Sequence, residues 1–222
     1  MKRSLRGAAR AALPAIAATL VLTACGAARS SVSATPGPPS INPTGRSPAA
    51  IAAADSGRPP YTKEDVAFLS GMIGHHAQAI LMSSWAPTHG AGSSVAGLAE
   101  RILVAQRDEI AFMQRWLRER RETVPDGSTE HMMMPGMDMK LMPGMLTAEQ
   151  LIQLDKARGP EFDRLFLQFM IQHHEGALTM VDKLFAAQGA GQDEDVFKFA
   201  VDVHADQTTE INRMTLMLQS VR

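Results

Sequence analysis

Apolar side chains recur every three to four residues in four long segments of the chain, the period of a single buried helix face. Helix-start residues mark the segment ends, such as Thr62 before the first segment and Pro160 at the start of the third. A shorter helix is predicted from Thr147, which forms a capping-box pattern with Gln150, to about Ala157. The four long helices are predicted at about 62–85, 94–124, 160–188 and 193–221.

These helices come in two copies of one pattern. The stretch Phe68–His76 reappears 98 residues later as Phe166–His174, and both copies end in Met-Ile-x-His-His. A second pattern, Gln-x-x-Glu-Ile-x-x-Met, occurs at 106–113 and again, 101 residues later, at 207–214. Neither pair of helices could bury its apolar stripe alone, so the two pairs are expected to associate. The sequence therefore predicts an all-α fold, an antiparallel four-helix bundle made of two duplicated helical hairpins.

Each predicted hairpin carries two histidines and a glutamate on its apolar face. The histidines are His75–His76 and His173–His174, and the glutamates are Glu109 and Glu210. A glutamate on such a face is costly unless it is paired or ligates a metal. One interpretation is a buried His–Glu network that only holds the bundle together. The other is a metal site, because four-helix bundles build such sites from inward His and Glu side chains on facing helices.

Methionines on the same faces make the candidate ligand set a soft one. Met72 and Met170 precede the histidine pairs by one helical turn, and Met113 and Met214 follow the glutamates by one turn. Thioether combined with imidazole favours copper, especially Cu(I). Adjacent histidines point about 100° apart on a helix, so one histidine of each pair can have a structural role instead.

The connection between the hairpins, 125–146, is rich in methionine and has no helical periodicity. It contains seven methionines, and Met-Pro-Gly-Met occurs in it twice. Pro-Gly marks turns, so these methionines cannot form a helical core stripe. They either fold over a hydrophobic groove or act as soft donors that capture copper. The candidate copper ligands in this loop are His131, Met134, Met137, Met142 and Met145.

The N-terminal part has the order of a bacterial lipoprotein precursor. A basic start and a short apolar run are followed by Leu22–Cys25, which resembles a lipobox. We interpret 1–24 as a signal peptide and Cys25 as the lipidated first residue of the mature chain; an ordinary secretory signal with an incidental cysteine is the alternative. Residues 25–60, rich in Ala, Pro and Ser, are expected to form a disordered tether before the bundle domain at 61–222.

The charge of the chain argues against one class of partner. The formal charge is −1, but residues 1–24 hold four basic side chains and no acid, so the remainder has 18 basic against 23 acidic side chains. A mildly acidic domain does not suit nucleic acid. The expected partners are the membrane, reached through the lipid on its extracytoplasmic side, a metal ion and a copper-handling protein.

The doubled Phe-Leu-x-x-Met-Ile-x-His-His, with Met-Pro-Gly-Met before the second copy, resembles domain-of-unknown-function family 305 from about Tyr61 to Leu218. The resemblance implies a ferritin-like four-helix bundle that is usually secreted or membrane-anchored. Some members of the family bind copper through Met and His and are linked to copper resistance. One difference between the copies is that Glu175–Ala177 replaces Ala77–Ala79. Besides the loop methionines, the positions that match the family are Met72, His75, His76, Met170, His173 and His174.

These features lead to a first hypothesis of an extracytoplasmic lipoprotein that binds copper for buffering, delivery or resistance and catalyses no reaction. One alternative is a metal-dependent redox enzyme of ferritin-like type with Glu109 and Glu210 as ligands. Such an enzyme needs an open coordination position, and di-iron bundles use more carboxylates than one per hairpin. The other alternative is an envelope structural or interaction module without metal.

Overall fold

The computed structural model describes Gly57 and residues 60–129, 132–133 and 142–221. All regular structure within these residues is helical, which confirms the all-α class. None of the described helices is both long enough and apolar enough to cross a membrane. The expected signal peptide, nearly all of the tether and four candidate site residues lie outside the described residues; the four are Cys25, His131, Met134 and Met137.

Five helices are present, and their starts follow the predicted signals. Thr62 and Asp65 form a capping box at the first helix, in which the side chain of each accepts from the backbone N–H of the other, and Thr147 with Gln150 forms the same motif at the third. Pro160 is the first residue of the fourth helix. The helices are α1 Lys63–Ser84, α2 Ser93–Glu119, α3 Ala148–Lys156, α4 Pro160–Ala186 and α5 Glu194–Ser220.

Helix α2 ends about five residues earlier than its apolar pattern predicts. The chain leaves the helix at Arg121, which has a positive φ of 57°. The N–H of Glu122 then donates back to the carbonyl of Leu117, so the last turn is closed by a left-handed residue. Periodicity alone missed this stop because no glycine marks it.

The long helices form two antiparallel hairpins, α1 with α2 and α4 with α5, which contact each other through α1 and α4. Tyr61, just before α1, packs edge-on against Trp116 near the end of α2, with ring centroids 5.1 Å apart. Phe185, at the end of α4, likewise contacts Phe197 at the start of α5. The short helix α3 lies against both α1 and α4.

Two equivalent aspartates join the hairpins at opposite ends. Asp65 begins α1 and accepts a 2.7 Å hydrogen bond from the N–H of Gly191, in the α4–α5 connection. Asp163 occupies the same repeat position in α4 and accepts from the N–H of Gly92, in the α1–α2 connection, at 3.1 Å from either oxygen. Burial raises the pKa of Asp163, and the Gly92 hydrogen bond opposes this. Each aspartate thus satisfies a backbone donor of the other hairpin.

A short segment of the crossover, Met142–Leu146, lies between α1 and α4, and we call it the crossover strap. The Gln78 side chain of α1 donates to the Leu146 carbonyl at 3.0 Å and accepts from its N–H at 2.7 Å. On α4 the repeat-equivalent position is Gly176, where a Cβ would lie 2.0 Å from the Pro143 carbonyl oxygen. The Gln–Gly difference between the copies therefore reflects the strap: one side anchors its backbone, and the other makes room for it.

Replacing Gly176 by alanine is expected to lower the free energy of unfolding by about 1–3 kcal/mol, because the new methyl group must displace the strap backbone. The matched control is Gly97→Ala in α2, where a Cβ would meet only the Arg101 guanidinium at 3.7 Å. The control should be neutral or more stable by up to about 1 kcal/mol, since alanine is the better helix former. Urea denaturation of both variants measures the difference, and equal effects would contradict the close approach of the strap.

Candidate metal centre

Four histidines with no exposed surface lie at the contact between α1 and α4. His75 and His173 form a central pair, with ring centroids 3.8 Å apart and planes tilted by 37°. His76 lies on one side and His174 on the other, each with its ring centroid more than 6 Å from that of its chain neighbour. Both Met-Ile-x-His-His copies therefore contribute to one cluster, which we call the histidine cluster.

Backbone carbonyls fix the rings of the central pair. The Nε2 of His173 lies 3.0 Å from the carbonyl oxygen of His75. The Nε2 of His75 lies 3.0 Å from the carbonyl oxygen of Pro143 in the crossover strap. Since a carbonyl oxygen can only accept, both rings must carry a proton on Nε2.

Carboxylates hold the outer pair in the same orientation. His174 Nε2 makes a 2.7 Å hydrogen bond to Glu210 Oε2. His76 Nε2 lies 2.6 Å from Glu109 Oε2, although the angle there is not that of a hydrogen bond. Each glutamate thus contacts a histidine of its own hairpin, and the partner in each case is the second histidine of the pair.

The other ring nitrogen, Nδ1, is buried and without a hydrogen-bond partner in all four histidines. With the proton on Nε2, Nδ1 carries a free lone pair. An unsatisfied buried acceptor costs about 1–3 kcal/mol of folding stability, so four in one cluster would strongly destabilise a purely structural network. Histidines that ligate metals typically donate their other ring N–H to a carboxylate or a backbone carbonyl, which is the arrangement found here.

Burial keeps the central pair neutral. It lowers the pKa of His75 to about 3, with the nearby His76 lowering it further and the Pro143 hydrogen bond opposing the shift. The pKa of His173 is also held well below its usual value, first by burial and then by the neighbouring His75. A neutral imidazole is the protonation state that binds metals.

The four methionines predicted as ligands on these helix faces are also fully buried. Met72 and Met113 of the first hairpin belong to one core cluster, and Met170 and Met214 of the second belong to another. Met72 and Met170 stand one turn before the histidine pairs, on the same helix face. These thioethers therefore pack the core on the helix faces that also carry the histidines.

The described methionines of the connecting loop contact the core rather than solvent. Met132 and Met145 are at most 8% exposed, and Met133 and Met142 pack against the same apolar cluster. Met142 lies close to α1, with its Sδ 3.0 Å from where a Cβ on Gly71 would stand. For these residues the structure favours a loop that folds over an apolar surface.

On the solvent side, Glu109 and Glu210 open into a groove between α2 and α5 that also contains Gln106, Asp206 and Gln207. The sequence reasoning missed Asp206, because its repeat equivalent is Ala105 and the motif therefore does not include it. The sequence signal available for it was that Asp206 directly precedes Gln207, the first residue of the second Gln-x-x-Glu-Ile-x-x-Met pattern.

Two boundaries of the site follow from the described residues. Among them, no three or more His, Cys, Asp or Glu side chains stand close enough together to form a metal-binding group of those residue types. Glu175, which stands where the first copy has Ala77, is exposed. The difference between the copies that affects packing is therefore Gly176, which stands where the first copy has Gln78.

The fold and the cluster define a class of duplicated helical-hairpin proteins with paired histidines at the hairpin contact. The chain belongs to the domain-of-unknown-function family DUF305, which matches residues 65–218. No curated protein sequence matches it.

Several solved structures share the fold. A DUF305 fragment from Deinococcus radiodurans is 27% identical with a TM-score of 0.59, covering 73% of this chain and 99% of that one. A DUF305 protein from Streptomyces coelicolor that is described as secreted is 26% identical, with a TM-score of 0.59. The match covers 71% of this chain and 93% of that one. CopM in its Cu(II)-bound form is 27% identical with a TM-score of 0.56, covering 70% and 96%. CopM has also been solved in Cu(I)-bound and silver-bound forms.

The metal-free protein is expected to lose stability as the pH falls below about 6.5. There the unfolded chain protonates His75 and His173 while the folded chain, with its lowered pKa values, does not. The free energy of unfolding should fall by about 1.4 kcal/mol per pH unit for each of the two histidines. Urea denaturation at pH 7.5, 6.5 and 5.5 in the presence of a chelator measures this, and an unchanged slope in a His75→Leu/His173→Leu variant would contradict it.

Proposed function

We propose that this protein binds copper as Cu(I) through the buried imidazoles of the histidine cluster and the buried thioethers on the same helix faces. We further propose that it buffers or delivers the ion without catalysing a reaction. The observation that carries the proposal is the set of four buried Nδ1 atoms without a hydrogen-bond partner, in rings whose Nε2 atoms all face oxygen atoms. A purely structural His–Glu network would leave these four acceptors unsatisfied at a cost in stability.

The donor chemistry selects the ion. His75 and His173, with Met72 and Met170 one turn away, would hold copper with neutral nitrogen and soft sulfur. Glu109 and Glu210 would keep the outer rings oriented and raise the basicity of their nitrogens, as carboxylates do behind metal-bound histidines. The methionines of the 125–146 connection would offer further soft donors.

The comparisons support the same ion. CopM, 26–27% identical over 70% of this chain, has been solved with Cu(I), Cu(II) and silver bound. Silver(I) resembles Cu(I) in its preference for soft sulfur and nitrogen ligands. A neighbour of similar fold that accepts both ions therefore favours a soft site in this chain too.

Binding without turnover fits the burial of the cluster. All four histidines have no exposed surface, whereas a catalytic metal needs a coordination position that substrate can reach. The carboxylates Glu109 and Glu210 contact the Nε2 edge of their rings, so they do not converge with the Nδ1 atoms on one point. This separation disfavours the carboxylate-rich centre of a redox enzyme.

The test is an anaerobic Cu(I) titration against a chromophoric Cu(I) chelator. His75→Leu/His173→Leu should weaken Cu(I) binding by more than about 100-fold, and Glu109→Gln/Glu210→Gln by about 10–100-fold. The control is His89→Leu, because His89 is also buried but has partners at both ring nitrogens, Thr88 and Asp155. Equal affinity and stoichiometry in the double histidine variant would overturn the proposal.

Two further measurements separate the alternatives. Changing the loop methionines to leucine should lower Cu(I) stoichiometry if the loop captures copper; unchanged stoichiometry would assign the loop to packing alone. Untagged protein from cells supplemented with copper and iron should contain copper. Iron or manganese would favour the redox enzyme, and absence of metal would favour the structural module.

The proposed place of action is the extracytoplasmic face of the membrane, with Cys25 as the lipidated residue. Replacing Cys25 by serine should release the protein from the membrane fraction, because lipid on that thiol would be its anchor. Immunoblotting of fractionated cells measures the effect. Blocking lipoprotein processing should leave a larger precursor of the unaltered chain, and an unchanged band would contradict lipidation.

A further inference from the structure

Three large apolar side chains lie exposed beside one another at one end of the second hairpin. The rings of Phe185, near the end of α4, and Phe197, near the start of α5, have centroids 5.7 Å apart. Val201 follows Phe197 by one helical turn, and Phe185, Phe197 and Val201 are 42%, 53% and 43% exposed. We call these three residues the apolar patch. Single exposed apolar residues are ordinary, whereas adjacent ones mark surfaces that bind proteins or membranes.

The duplicated fold does not require the apolar patch, because the first hairpin lacks it. The repeat offset of 98 places Pro87 at the position of Phe185. The offset of 101 places Ala96 at the position of Phe197, and Glu100 takes the position of the third patch residue. Both hairpins nevertheless pair their helices in the same way. The patch is therefore a feature of the second hairpin alone, added on its surface.

The patch lies at the end of the domain where the polypeptide enters it. The Phe185 ring covers Gly191, since a Cβ on that glycine would stand 2.9 Å from the ring. The N–H of Gly191 in turn donates to Asp65, in the first turn of α1, at 2.7 Å. Tyr61 stands four residues before Asp65. The predicted tether, residues 25–60, therefore joins the domain beside the apolar patch.

The tether would hold this end of the domain close to a membrane, so the inference rests on the proposed lipid anchor at Cys25. A flexible chain of about 35 residues has a root-mean-square length of about 33 Å. A domain tethered at that distance has a high effective concentration at the bilayer surface, so weak contacts with lipid become populated. The end that the tether joins is also the end nearest to the anchor.

The exposed charges around the patch favour an apolar contact over an electrostatic one. They carry both signs without a basic excess: Lys183 and Lys198 against Asp182, Glu194, Asp195 and Asp202. Lys198 is already paired with Asp202, at 2.5 Å. A surface of this kind does not depend on anionic lipid for binding, because basic clusters are what anionic headgroups attract. Zwitterionic lipid is therefore a sufficient partner.

We propose that the apolar patch docks on the lipid bilayer to which the chain is anchored, with Phe185, Phe197 and Val201 inserted at the boundary between headgroups and acyl chains. Apolar and aromatic side chains on one helix face bind membranes at this depth without crossing them. The α4–α5 connection then faces the bilayer, and the lipid anchor and the patch act on the same end of the domain.

Brominated phosphatidylcholine is the probe, because bromine on acyl chains quenches tryptophan fluorescence only at short range. The processed full chain is purified from cell membranes and reconstituted in vesicles. The emission added by Phe197→Trp should fall by at least about twofold in brominated vesicles, since an interfacial apolar face is buried about 5–10 Å. The matched control is Val104→Trp, whose added emission should not change. Val104 is also 53% exposed but lies on α2, about 22 Å along the helix from Glu119.

A second variant tests the patch as a unit. Adding Phe185→Asp to Phe197→Trp should restore about half or more of the quenched emission, because a carboxylate next to the inserted ring disfavours the interface. Circular dichroism checks that the variant is folded, as expected for a residue that is 42% exposed. Quenching that Phe185→Asp leaves unchanged would contradict docking through this patch.

Flotation of the vesicles in a density gradient reports the lipid anchor separately from docking. Protein that floats with the vesicles but shows no bromine quenching at Phe197→Trp, or equal quenching at Val104→Trp, would overturn docking and leave the anchor intact. Protein that does not float would refute the anchor and the docking that depends on it. Without bromine quenching, a blue-shifted emission that grows with protein density would instead assign the patch to a second copy of the chain, and one independent of density to a segment of the same chain.

Discussion

The hydrogen bond from the His173 Nε2–H to the backbone carbonyl of His75 is the interaction around which the two hairpins are arranged. It places one imidazole over the other and joins α4 to the main chain of α1 at the centre of the fold. The reciprocal bond is absent: the Nε2 of His75 instead donates to the Pro143 carbonyl of the crossover strap. A duplicated chain has two equivalent hairpins but one connection between them, so the symmetry must break where that connection passes.

This break explains differences that would otherwise seem incidental. Gln78 in the first copy anchors the strap by two backbone hydrogen bonds, and Gly176 at the equivalent position leaves space for Pro143. The second Met-Pro-Gly-Met is thereby both a turn and part of the hairpin contact. The Pro143 carbonyl of this motif accepts from the His75 Nε2–H, so the orientation of that buried imidazole depends on the position of the loop.

Two carboxylates connect the buried histidine cluster with a solvent-facing groove. Inside, the imidazoles of His75 and His173, whose pKa values burial lowers, lie in an apolar core. Outside, the lining of the groove contains no basic residue. Glu109 and Glu210 contact a histidine on one side and line the groove on the other. Structures 26–27% identical to this chain keep the same fold.

The sequence by itself determined the all-α class, the duplication, the helix starts at Thr62, Thr147 and Pro160, and the inward placement of the histidines. These features follow from local rules: helical periodicity, caps and the requirement that a repeated apolar stripe be covered. Only the tertiary structure decided which histidine of each pair contacts the other hairpin and which contacts the glutamate of its own hairpin. It alone brought Asp206 into the groove and identified Gly176 as the contact point of the strap. Such contacts join residues far apart in the chain, and helix register and packing set them rather than any local pattern. The early end of α2 at Glu119 is instead a local feature, which the sequence did not show because Arg121, the residue with the left-handed conformation, is not a glycine.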